Sequence, residues 1–363
     1  MNYVGIDIHK RYSVCAAQEE RGRLLGEARV EGNSADGFVQ YLQGLGGKSK
    51  VVIEACWNWG KLYDLLEGLP QVEEVVLAHP LKTRLIADAQ IKTDKLDARA
   101  LATLLRGGFI ARAHVPRPAT RRRKDLLRQR LYWSRLRTRL RNRVHALVDR
   151  QREVELPQCS DLFGRKGMRA LEALELPAPD ALLLEEHLEL LEVMRCQMAD
   201  QEKEIAVANT RDPLTRRLLS VPGIGPVLGA VIAAEIDQIE RFADASHLCA
   251  YAGLVPTTHA SGGQVYHGRL LQACDKWLRW AFIEAAWVAI GCSPYFGELY
   301  RRHRARGKQA NTAITIVARR MCRIAWTLLH EDRDFTVQPP AKTKPSPRKT
   351  FPGRSRSRLA ARP

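Results

Sequence analysis

The chain has 363 residues with 58 Lys and Arg against 40 Asp and Glu, so its formal net charge is +18. With 45% apolar and 27% charged residues, the composition is typical of globular proteins and excludes wholesale disorder and fibrous repeats. The length favours two domains and a connector. No run of about 18 uncharged apolar residues occurs, and the N-terminus enters a strand pattern without a signal-peptide layout. We therefore expect a cytoplasmic protein that does not contact membranes.

The positive charge is concentrated in two segments of the chain. Residues 117–152 hold fourteen Lys and Arg but only two acids, and residues 338–363 hold eight Lys and Arg and no acid. This concentration predicts binding of a polyanion, although a solvated basic face is the plainer alternative. The candidate nucleic-acid contacts in the first segment are Arg121, Arg122, Arg123, Lys124, Arg128, Arg135 and Arg139.

The eight cysteines are scattered singly along the chain. None forms a C-x-x-C motif, and none has a histidine nearby at the spacing of a zinc site. They are therefore predicted to be reduced, mostly buried cysteines, and a structural zinc site is not expected.

Residues 1–115 predict an α/β domain. Short apolar segments with period-two alternation predict strands, and segments with apolar residues three and four apart predict helices. The predicted strands span 3–9, 12–17, 24–31, 51–54 and 75–78, and the predicted helices span 35–45, 60–67, 81–87 and 93–106. The order β-β-β-α-β-α-β-α begins with a three-strand meander and predicts a mixed sheet with helices.

Residues 116–210 predict a basic, helical, coiled-coil connector. After Pro116 and Pro118 interrupt the pattern, residues 121–152 and 182–207 each place apolar side chains along one stripe of a long helix. Two alternatives stay open, since these helices suit antiparallel packing within one chain as well as pairing with a partner's copies.

Residues 211–332 predict a mainly helical domain, and residues 333–363 predict a disordered basic tail. Long apolar segments at 275–290 and 311–329 favour buried helices in this domain. The last 26 residues contain six prolines and no acid, a composition that does not build a core.

Four carboxylates occupy positions that together are typical of a metal site. Asp7 lies between two isoleucines in the first strand, and Glu54 ends the fourth strand. Asp94 and Asp97 are three residues apart and project from one face of a helix. If the four converge, their repulsion calls for a divalent cation, and oxygen ligands favour Mg²⁺ or Mn²⁺ over Zn²⁺. Each acid alone is an ordinary strand-end or solvent-exposed residue, so only the combination supports the prediction.

Several segments resemble the transposases of insertion-sequence family 110 over roughly residues 3–330. They are GIDIHK, VIEACWNWG and IKTDKLDARALA, followed by SVPGIGPVLGAVIAAEI, FADASHLCAYAGLVP and ASGG. The resemblance implies a RuvC-like, RNase H-type fold for the first domain, with a D-E-D-D metal site formed by Asp7, Glu54, Asp94 and Asp97. It also implies a coiled-coil connector and a helical transposase domain whose nucleophilic serine is Ser261.

The same resemblance implies an activity and its partners. Ser261 attacks a DNA phosphodiester and forms a covalent 5′-phosphoserine link, and the carboxylates hold the Mg²⁺ (or Mn²⁺) that aids strand cleavage and exchange. The implied partners are donor DNA, target DNA and a structured guide RNA, the bridge RNA encoded by the element. A prokaryotic homo-oligomer, a dimer or a tetramer, is implied as the working form.

The segment SVPGIGPVLG predicts a helix-hairpin-helix-like turn. Gly223 and Gly225 permit close backbone approach, and Pro226 begins a helix whose N-terminal amides suit a phosphate. The alternative is a plain connection between two helices, in which the glycines serve only the turn.

The segment after Ser261 departs from the family pattern. Relatives usually continue with a Gly-Arg-Ile-Ser/Thr-Lys-x-Gly-Asn run, whereas this chain reads GRLLQACDKWLRW. Gly268 and Arg269 are kept, and Arg269 stays a candidate nucleic-acid contact. The lysine and the second glycine are missing, which predicts a weaker phosphate contact at the start of the following helix.

Two rival functions use the same residues. One is a RuvC-like, structure-specific nuclease in which a metal-activated water hydrolyses DNA and Ser261 is only structural. The other is a catalytically inactive scaffold that binds nucleic acid, which the departure after Arg269 favours. A covalent protein–DNA adduct, cuts without an adduct, or binding alone would distinguish the three functions.

Overall fold

The structure is a computed structural model that describes residues 1–56, 59–86, 93–151, 159, 161–261 and 264–336. The chain forms two compact units, one from Met1 to Arg121 and one that begins at Arg122. The basic segment 338–363 lies outside the described residues. None of the helices in the described ranges combines the length and the apolar composition that a bilayer crossing requires.

The first unit contains a five-stranded mixed sheet, as the sequence predicts. Its strands are β1 (Asn2–Ile8), β2 (Tyr12–Glu19), β3 (Leu24–Glu31), β4 (Ser49–Glu54) and β5 (Val72–Ala78). They lie in the order β3-β2-β1-β4-β5, in which β1, β2 and β3 are antiparallel neighbours and β1, β4 and β5 are parallel neighbours. The predicted meander and the predicted succession of strands along the chain are confirmed.

Helices cover both faces of this sheet. They are α1 (Ala35–Leu45), α2 (Trp59–Glu67), α3 (Pro80–Ile86) and α4 (Asp94–Arg106). Helices α1 and α2 bury Phe38 and Leu66 in the main core against β1 and β4, while α4 buries Leu101 and Leu105 in a second core on the sheet. Ala87, which ends the predicted third helix, lies outside the described residues.

Helix α4 lies so close to strand β1 that a side chain at position 5 has no room. A Cβ on Gly5 would lie 2.1 Å from the carbonyl oxygen of Ala98 and 2.6 Å from the amide nitrogen of Ala102. Side chains alternate between the two faces of a strand, so Asp7 lies on the same face of β1 as Gly5. The sequence GID therefore combines a close helix–strand contact with an acid that faces the beginning of α4.

Two long helices pack antiparallel in the second unit. They are α5 (Pro118–Asp149), which begins at the end of the first unit, and α7 (Ala178–Thr210), and a short α6 (Arg165–Glu172) lies between them in the sequence. Arg130 Nε donates to Glu202 Oε1 at 3.1 Å, and Arg143 Nε donates to His187 Nε2 at 2.9 Å. Since the later residue of α5 pairs with the earlier residue of α7, the helices run in opposite directions within one chain.

The rest of the second unit is mainly helical, as predicted. Its helices are α8 (Pro213–Leu219), α9 (Pro226–Ile236), α10 (Ala245–Tyr251), α11 (Lys276–Cys292), α12 (Pro294–Ala305) and α13 (Ala310–His330). Side chains of α9, α10, α11 and α13 share one buried core that includes Ile232, Leu248, Phe282 and Met321. The sequence analysis did not predict the hairpin of strands β6 (Pro256–Ser261) and β7 (Gln264–Leu270).

Candidate active site

Strand pairing brings two of the four predicted acids to one edge of the sheet. Strands β1 and β4 are parallel, with Ile6 paired to Ile53, and Asp7 and Glu54 each follow directly. Strand β4 ends at Glu54, while β1 continues to Ile8. Because parallel strands end at the same edge of a sheet, the register places both acids there.

Helix α4 brings the other two acids to the same strand. Thr93 caps the helix by accepting a hydrogen bond from the amide of Leu96 at 3.3 Å, and Asp94 and Asp97 both lie in the first turn. Acids are favourable at this end because the helix dipole is positive there. The close contact at Gly5 then holds this first turn beside Asp7.

Two of these acids, Asp7 and Asp94, form a compact cluster with His9. His9 Nε2 lies 3.0 Å from Asp7 Oδ2 and 3.2 Å from Asp94 Oδ2. Within the described part of the chain, Asp7, His9 and Asp94 are a group whose ligand atoms all lie within 4.8 Å of one another. Glu54 and Asp97 are not members of this group, so their part in a metal site stays a prediction.

His9 and Tyr12 are functional candidates that sequence reasoning missed. Tyr12 Oη donates a hydrogen bond to Asp94 Oδ2 at 3.0 Å, and its ring stacks on the His9 ring with 4.6 Å between centroids. The guanidinium carbon of Arg29 lies over the Tyr12 ring, 3.6 Å from its centroid. The only signal in the sequence was a histidine two residues after the strand aspartate.

The cluster carries more negative charge than its own cations offset. Burial raises the pKa of the Asp7 carboxyl, contact with His9 lowers it, and the charges of Asp94 and Asp97 raise it again, with an upward net shift. The hydrogen bond to Asp94 raises the pKa of Tyr12, which keeps the phenol a donor at neutral pH. A divalent cation would relieve this excess charge, and carboxylate oxygens with one imidazole nitrogen form a suitable donor set.

Ser261 lies at the end of a strand, although its glycine-flanked segment has no strand or helix periodicity and reads as a loop from the sequence alone. It is the last residue of β6, it pairs with Gln264 at the start of β7, and it is exposed. Gly262 and Gly263, between them, lie outside the described residues. The serine therefore lies at the exposed end of β6, a position that a large substrate can reach.

The base of the hairpin is fixed by close contacts. Thr257 Oγ1 donates to the carbonyl oxygen of Arg269 at 3.1 Å, and the amide of Leu271 donates to the carbonyl oxygen of Val255 at 3.1 Å. A Cβ on Gly268 would lie 2.4 Å from Thr257 Oγ1, so glycine is required there by packing. Arg269 itself is exposed and stays available for a phosphate.

The two glycines before α9 have different roles. Gly223 has a φ of +91°, and a Cβ there would lie 2.4 Å from the carbonyl oxygen of Ala285 in α11. Packing between helices therefore explains Gly223 without a ligand. Gly225 caps the N-terminus of α9, and a Cβ there would meet no atom within 4 Å, so only this glycine leaves open space for a phosphate.

Three of the predicted basic contacts are buried or half-buried and have partners inside the protein. Arg121 donates to Asp64 Oδ1 at 2.6 Å, Arg123 to Asp212 Oδ2 at 2.5 Å, and Lys124 Nζ lies 2.5 Å from Glu235 Oε2. Lys124 is only 8% exposed, so this pair is a buried link between α5 and α9. These three cations stabilise the fold, and their partners are acids far away in the sequence.

Four other predicted contacts remain exposed on α5. They are Arg122, Arg128, Arg135 and Arg139. Arg128 and Arg135 lie over the ring of Trp277, with the guanidinium carbons 5.8 Å and 5.1 Å from its centroid. Arg128 also donates to Glu235 Oε1 at 3.4 Å, whereas the stacking of Arg135 on the ring leaves its donors available for a phosphate.

The departure from the family pattern has a structural role in this chain. Asp275, the residue before α11, caps that helix by accepting a hydrogen bond from the amide of Leu278 at 2.8 Å. An acid at a helix N-terminus satisfies the amides that an external anion would use. The start of α11 therefore holds its own carboxylate, in agreement with a weaker phosphate contact there.

Two transposase family models match this chain. The DEDD transposase domain of the IS110 type matches residues 4–152, and the transposase domain of the IS116/IS110/IS902 family matches residues 215–301. Together they cover more than half of the chain. The first match includes Asp7 and Asp94, and the second includes Ser261.

Curated proteins show the same similarity. A protein of Pseudomonas aeruginosa named "Probable family 20 transposase" is 30% identical over 171 residues, which cover 45% of this chain and 49% of the relative. "Putative transposase y4qE" of Sinorhizobium fredii is 24% identical over 365 residues, 92% of this chain and 90% of the relative. "Pilin gene-inverting protein" of Moraxella bovis is 30% identical over 120 residues, 32% of this chain and 37% of the relative. The chain spans about half or less of the length of the relatives that it matches at 30% identity.

Proposed function

The chain belongs to the IS116/IS110/IS902 family of transposases, and from this premise we propose that it cleaves and rejoins DNA strands as a metal-dependent recombinase. The observation that supports this most directly is the cluster of Asp7, His9 and Asp94 at the edge of the sheet. Carboxylates that lie close together without enough cations to balance their charge are typical of a metal-binding site.

The residues of the cluster have distinct proposed roles. Asp7 and Asp94 hold Mg²⁺ or Mn²⁺, with Glu54 and Asp97 as further ligands, and Tyr12 orients Asp94 by its hydrogen bond. When bound, the metal stabilises negative charge that develops on a phosphodiester. The contact of α4 with Gly5 sets the distance between the two carboxylates that bind the metal.

Ser261 is the proposed nucleophile. Its hydroxyl oxygen forms a bond to phosphorus, the bond from phosphorus to the 3′ oxygen breaks, and the serine proton leaves as the 3′-hydroxyl forms. The product is a 5′-phosphoserine link, and attack by a 3′-hydroxyl of another strand reverses these steps and frees the serine. Exposure of Ser261 at a hairpin end supports this role, since the strand must reach it.

We also propose that the chain binds donor DNA, target DNA and a structured guide RNA as a homo-oligomer. The net charge of +18 and the exposed arginines of α5 support a polyanionic partner. Arg122, Arg139, Arg269 and the open amides after Gly225 are the proposed phosphate contacts. Arg121, Arg123 and Lys124 are left out, because their charges are already paired.

A nuclease that uses water is the second candidate function. The cluster of Asp7 and Asp94 supports it equally, because a metal ion can activate water as well as a serine. The name of the Moraxella bovis relative favours the recombinase, since the inversion of a gene requires that cut strands are joined again. The capped start of α11 is the observation that favours an inactive scaffold.

The test is cleavage of end-labelled element DNA with the guide RNA and Mg²⁺ or Mn²⁺, analysed by denaturing electrophoresis. Wild-type protein should give a band that survives denaturant and returns to free DNA after protease digestion. Ser261→Ala should lose both the adduct and the cuts, and Asp94→Asn should lose all activity. EDTA should stop the wild-type reaction.

Matched controls separate these effects from misfolding. Thr312→Ala removes an exposed hydroxyl from the same unit, and Asp36→Asn removes an exposed acid from the first turn of α1. Both should keep wild-type activity. Cuts without an adduct in Ser261→Ala would assign the nuclease, and binding without cuts in the wild-type protein would assign the scaffold.

A further inference from the structure

A wide cleft lies in the second unit, and none of its lining residues belongs to the hairpin or to the turn before α9. It has a volume of about 1080 Å³ and is lined by α12, α13, the start of α10 and the segment 333–336. Pockets for small molecules typically measure about 300–1,000 Å³. The cleft therefore has room for a segment of a larger ligand.

Helical periodicity builds the walls of this cleft. Tyr295, Leu299 and Arg302 are spaced by four and three residues along one side of α12, and Arg320 and Ile324 are spaced by four residues along one side of α13. Residues at such spacings share a helix face. Each wall therefore combines apolar or aromatic side chains with at least one guanidinium.

The cleft carries positive charge that lacks internal compensation. Arg302 and Arg323 are exposed and form no ion pair with any of the described residues. Arg320 Nε donates to Tyr295 Oη at 2.7 Å, and this neutral partner leaves the charge of the guanidinium in place. Three guanidinium groups thus line one cleft, and their charge favours the binding of an anion.

The two acids in the lining are already engaged. Asp244 accepts hydrogen bonds from the amides of Ser246 and His247 at 2.7 Å and 2.9 Å. Glu298 lies 3.3 Å from Arg301. Arg333, the fourth arginine in the lining, is likewise paired, with Glu331. The charge of Asp244 offsets only one of the three other arginines, so the cleft is complementary to a ligand with more than one negative charge.

Apolar and aromatic side chains complete the lining. Leu328 is 2% exposed and forms part of the floor with Leu299 and Phe335, and the rings of Tyr295 and Trp326 lie beside them. A simple inorganic anion gains nothing from such a floor. A nucleic-acid strand has phosphates for the guanidinium groups and unpaired bases for the aromatic and apolar surface.

We propose that this cleft binds a single-stranded segment of nucleic acid. Arg302, Arg320 and Arg323 bind consecutive phosphates, and Tyr295 and Trp326 contact unpaired bases. The proposal rests on the proposed function only for the presence of nucleic acid, and it assigns a site apart from Ser261. The chain's own segment 338–363 is excluded as the occupant, because it carries eight cations and no acid.

The experiment measures binding of the full chain to labelled oligothymidine DNA, oligouridine RNA and a DNA duplex by fluorescence anisotropy over a salt series. The cleft variant is Arg302→Gln with Arg323→Gln. The control is Arg304→Gln with Arg306→Gln, which removes the same charge from exposed residues outside the cleft. Thermal unfolding monitored by circular dichroism checks that both variants are folded.

The cleft variant should lose two phosphate contacts on a single strand. At about 0.7 released counterions per contact, the slope of log Kd against log salt should fall by about 1.4, which corresponds to about 25-fold weaker binding at 0.1 M salt. The control should change far less. A greater loss with RNA assigns the cleft to a guide, and a greater loss with DNA assigns it to a DNA strand.

Three results would overturn the inference. They are an unchanged affinity of the cleft variant, an equal loss in the control, and a loss confined to the duplex. If the wild-type protein binds none of the probes, the proposed function fails as well. If it binds them and forms the Ser261 adduct while the cleft variant binds normally, only this inference fails.

Discussion

Replacement of Gly5 by alanine tests whether the contact between α4 and β1 sets the geometry of the acidic cluster. The new Cβ would lie 2.1 Å from the carbonyl oxygen of Ala98, whereas ordinary contacts begin at 3.4 Å. Position 5 belongs to β1 and Ala98 to α4, so α4 must move away from the strand by about 1 Å. Overpacking of this kind lowers the free energy of unfolding by about 1–3 kcal/mol. We expect a loss at the upper end of that range, because the obstacle is backbone.

The same displacement should impair the site. Asp94 moves with α4 while Asp7 stays on β1, so the two carboxylates separate and Mn²⁺ binding weakens. A misplacement of about 1 Å at a reacting centre can cost about 100-fold in rate. The assays are urea denaturation, titration calorimetry with Mn²⁺ in the absence of DNA, and the cleavage assay.

Gly44→Ala is the matched control for this change. A Cβ on Gly44, in helix α1, would meet no atom within 4 Å, so the free energy of unfolding should rise by about 0.5–1 kcal/mol. Wild-type stability in Gly5→Ala would refute the packing argument. Reduced stability with normal Mn²⁺ affinity would refute the claim that α4 sets the cluster.

Three further predictions concern single charges. Asp7→Asn should raise the melting temperature in EDTA at neutral pH. The folded-state pKa of Asp7 lies above its ordinary value, so ionisation of Asp7 lowers stability as the pH rises past 3.8. The gain in melting temperature should vanish at acid pH and turn into a loss in Mn²⁺. Lys124→Met leaves Glu235 buried with only Arg128 nearby, so urea denaturation should show a loss of about 3 kcal/mol, against about 0.5 kcal/mol or less for the exposed Arg122→Met. His9→Ala should weaken Ni²⁺ binding more than Mg²⁺ binding in calorimetry, since imidazole suits Ni²⁺ whereas Mg²⁺ prefers oxygen ligands, and equal losses would exclude His9 as a ligand.

Local patterns were sufficient for the first domain. The strand meander, the parallel β4 and β5 and helix α4 all follow from periodicity and turn residues, and the structure confirms them. Start and end residues differ slightly, as for β4, which begins at Ser49 instead of residue 51. Thr93, assigned to the helix by its pattern, is the cap that precedes it.

The hairpin that ends at Ser261 was missed because its strands lack a clear apolar face. The segment PTTHAS has no large apolar residue, and the apolar residues of QVYHGRL, at positions 265, 266 and 270, do not alternate with period two, so the strand signal is weak. The two glycines between them favour a turn, but they do not show that strands flank it. Pairing across the turn is what makes this segment regular.

The sequence alone could not identify the ion-pair partners of the basic residues. A run of arginines and lysines on α5 indicates a polyanion site, yet Lys124 and Arg123 face Glu235 and Asp212 on other helices. Only the packing of α5 on the rest of the unit decides which cations are paired. The same applies to His9, whose position between two acids depends on the approach of α4.

The central claim is that Ser261 attacks DNA, and the covalent adduct can identify the attacking atom directly. The adduct formed with Mg²⁺ and guide RNA would be digested with nuclease and trypsin and analysed by tandem mass spectrometry. Trypsin releases residues 242–269 as one peptide, which contains six hydroxyl candidates, Ser246, Tyr251, Thr257, Thr258, Ser261 and Tyr266. We expect the fragment ions to place the nucleotide mass on Ser261, and we expect Ser261→Ala to give no modified peptide. A nucleotide on any other residue, or DNA cuts without a modified peptide, would contradict it.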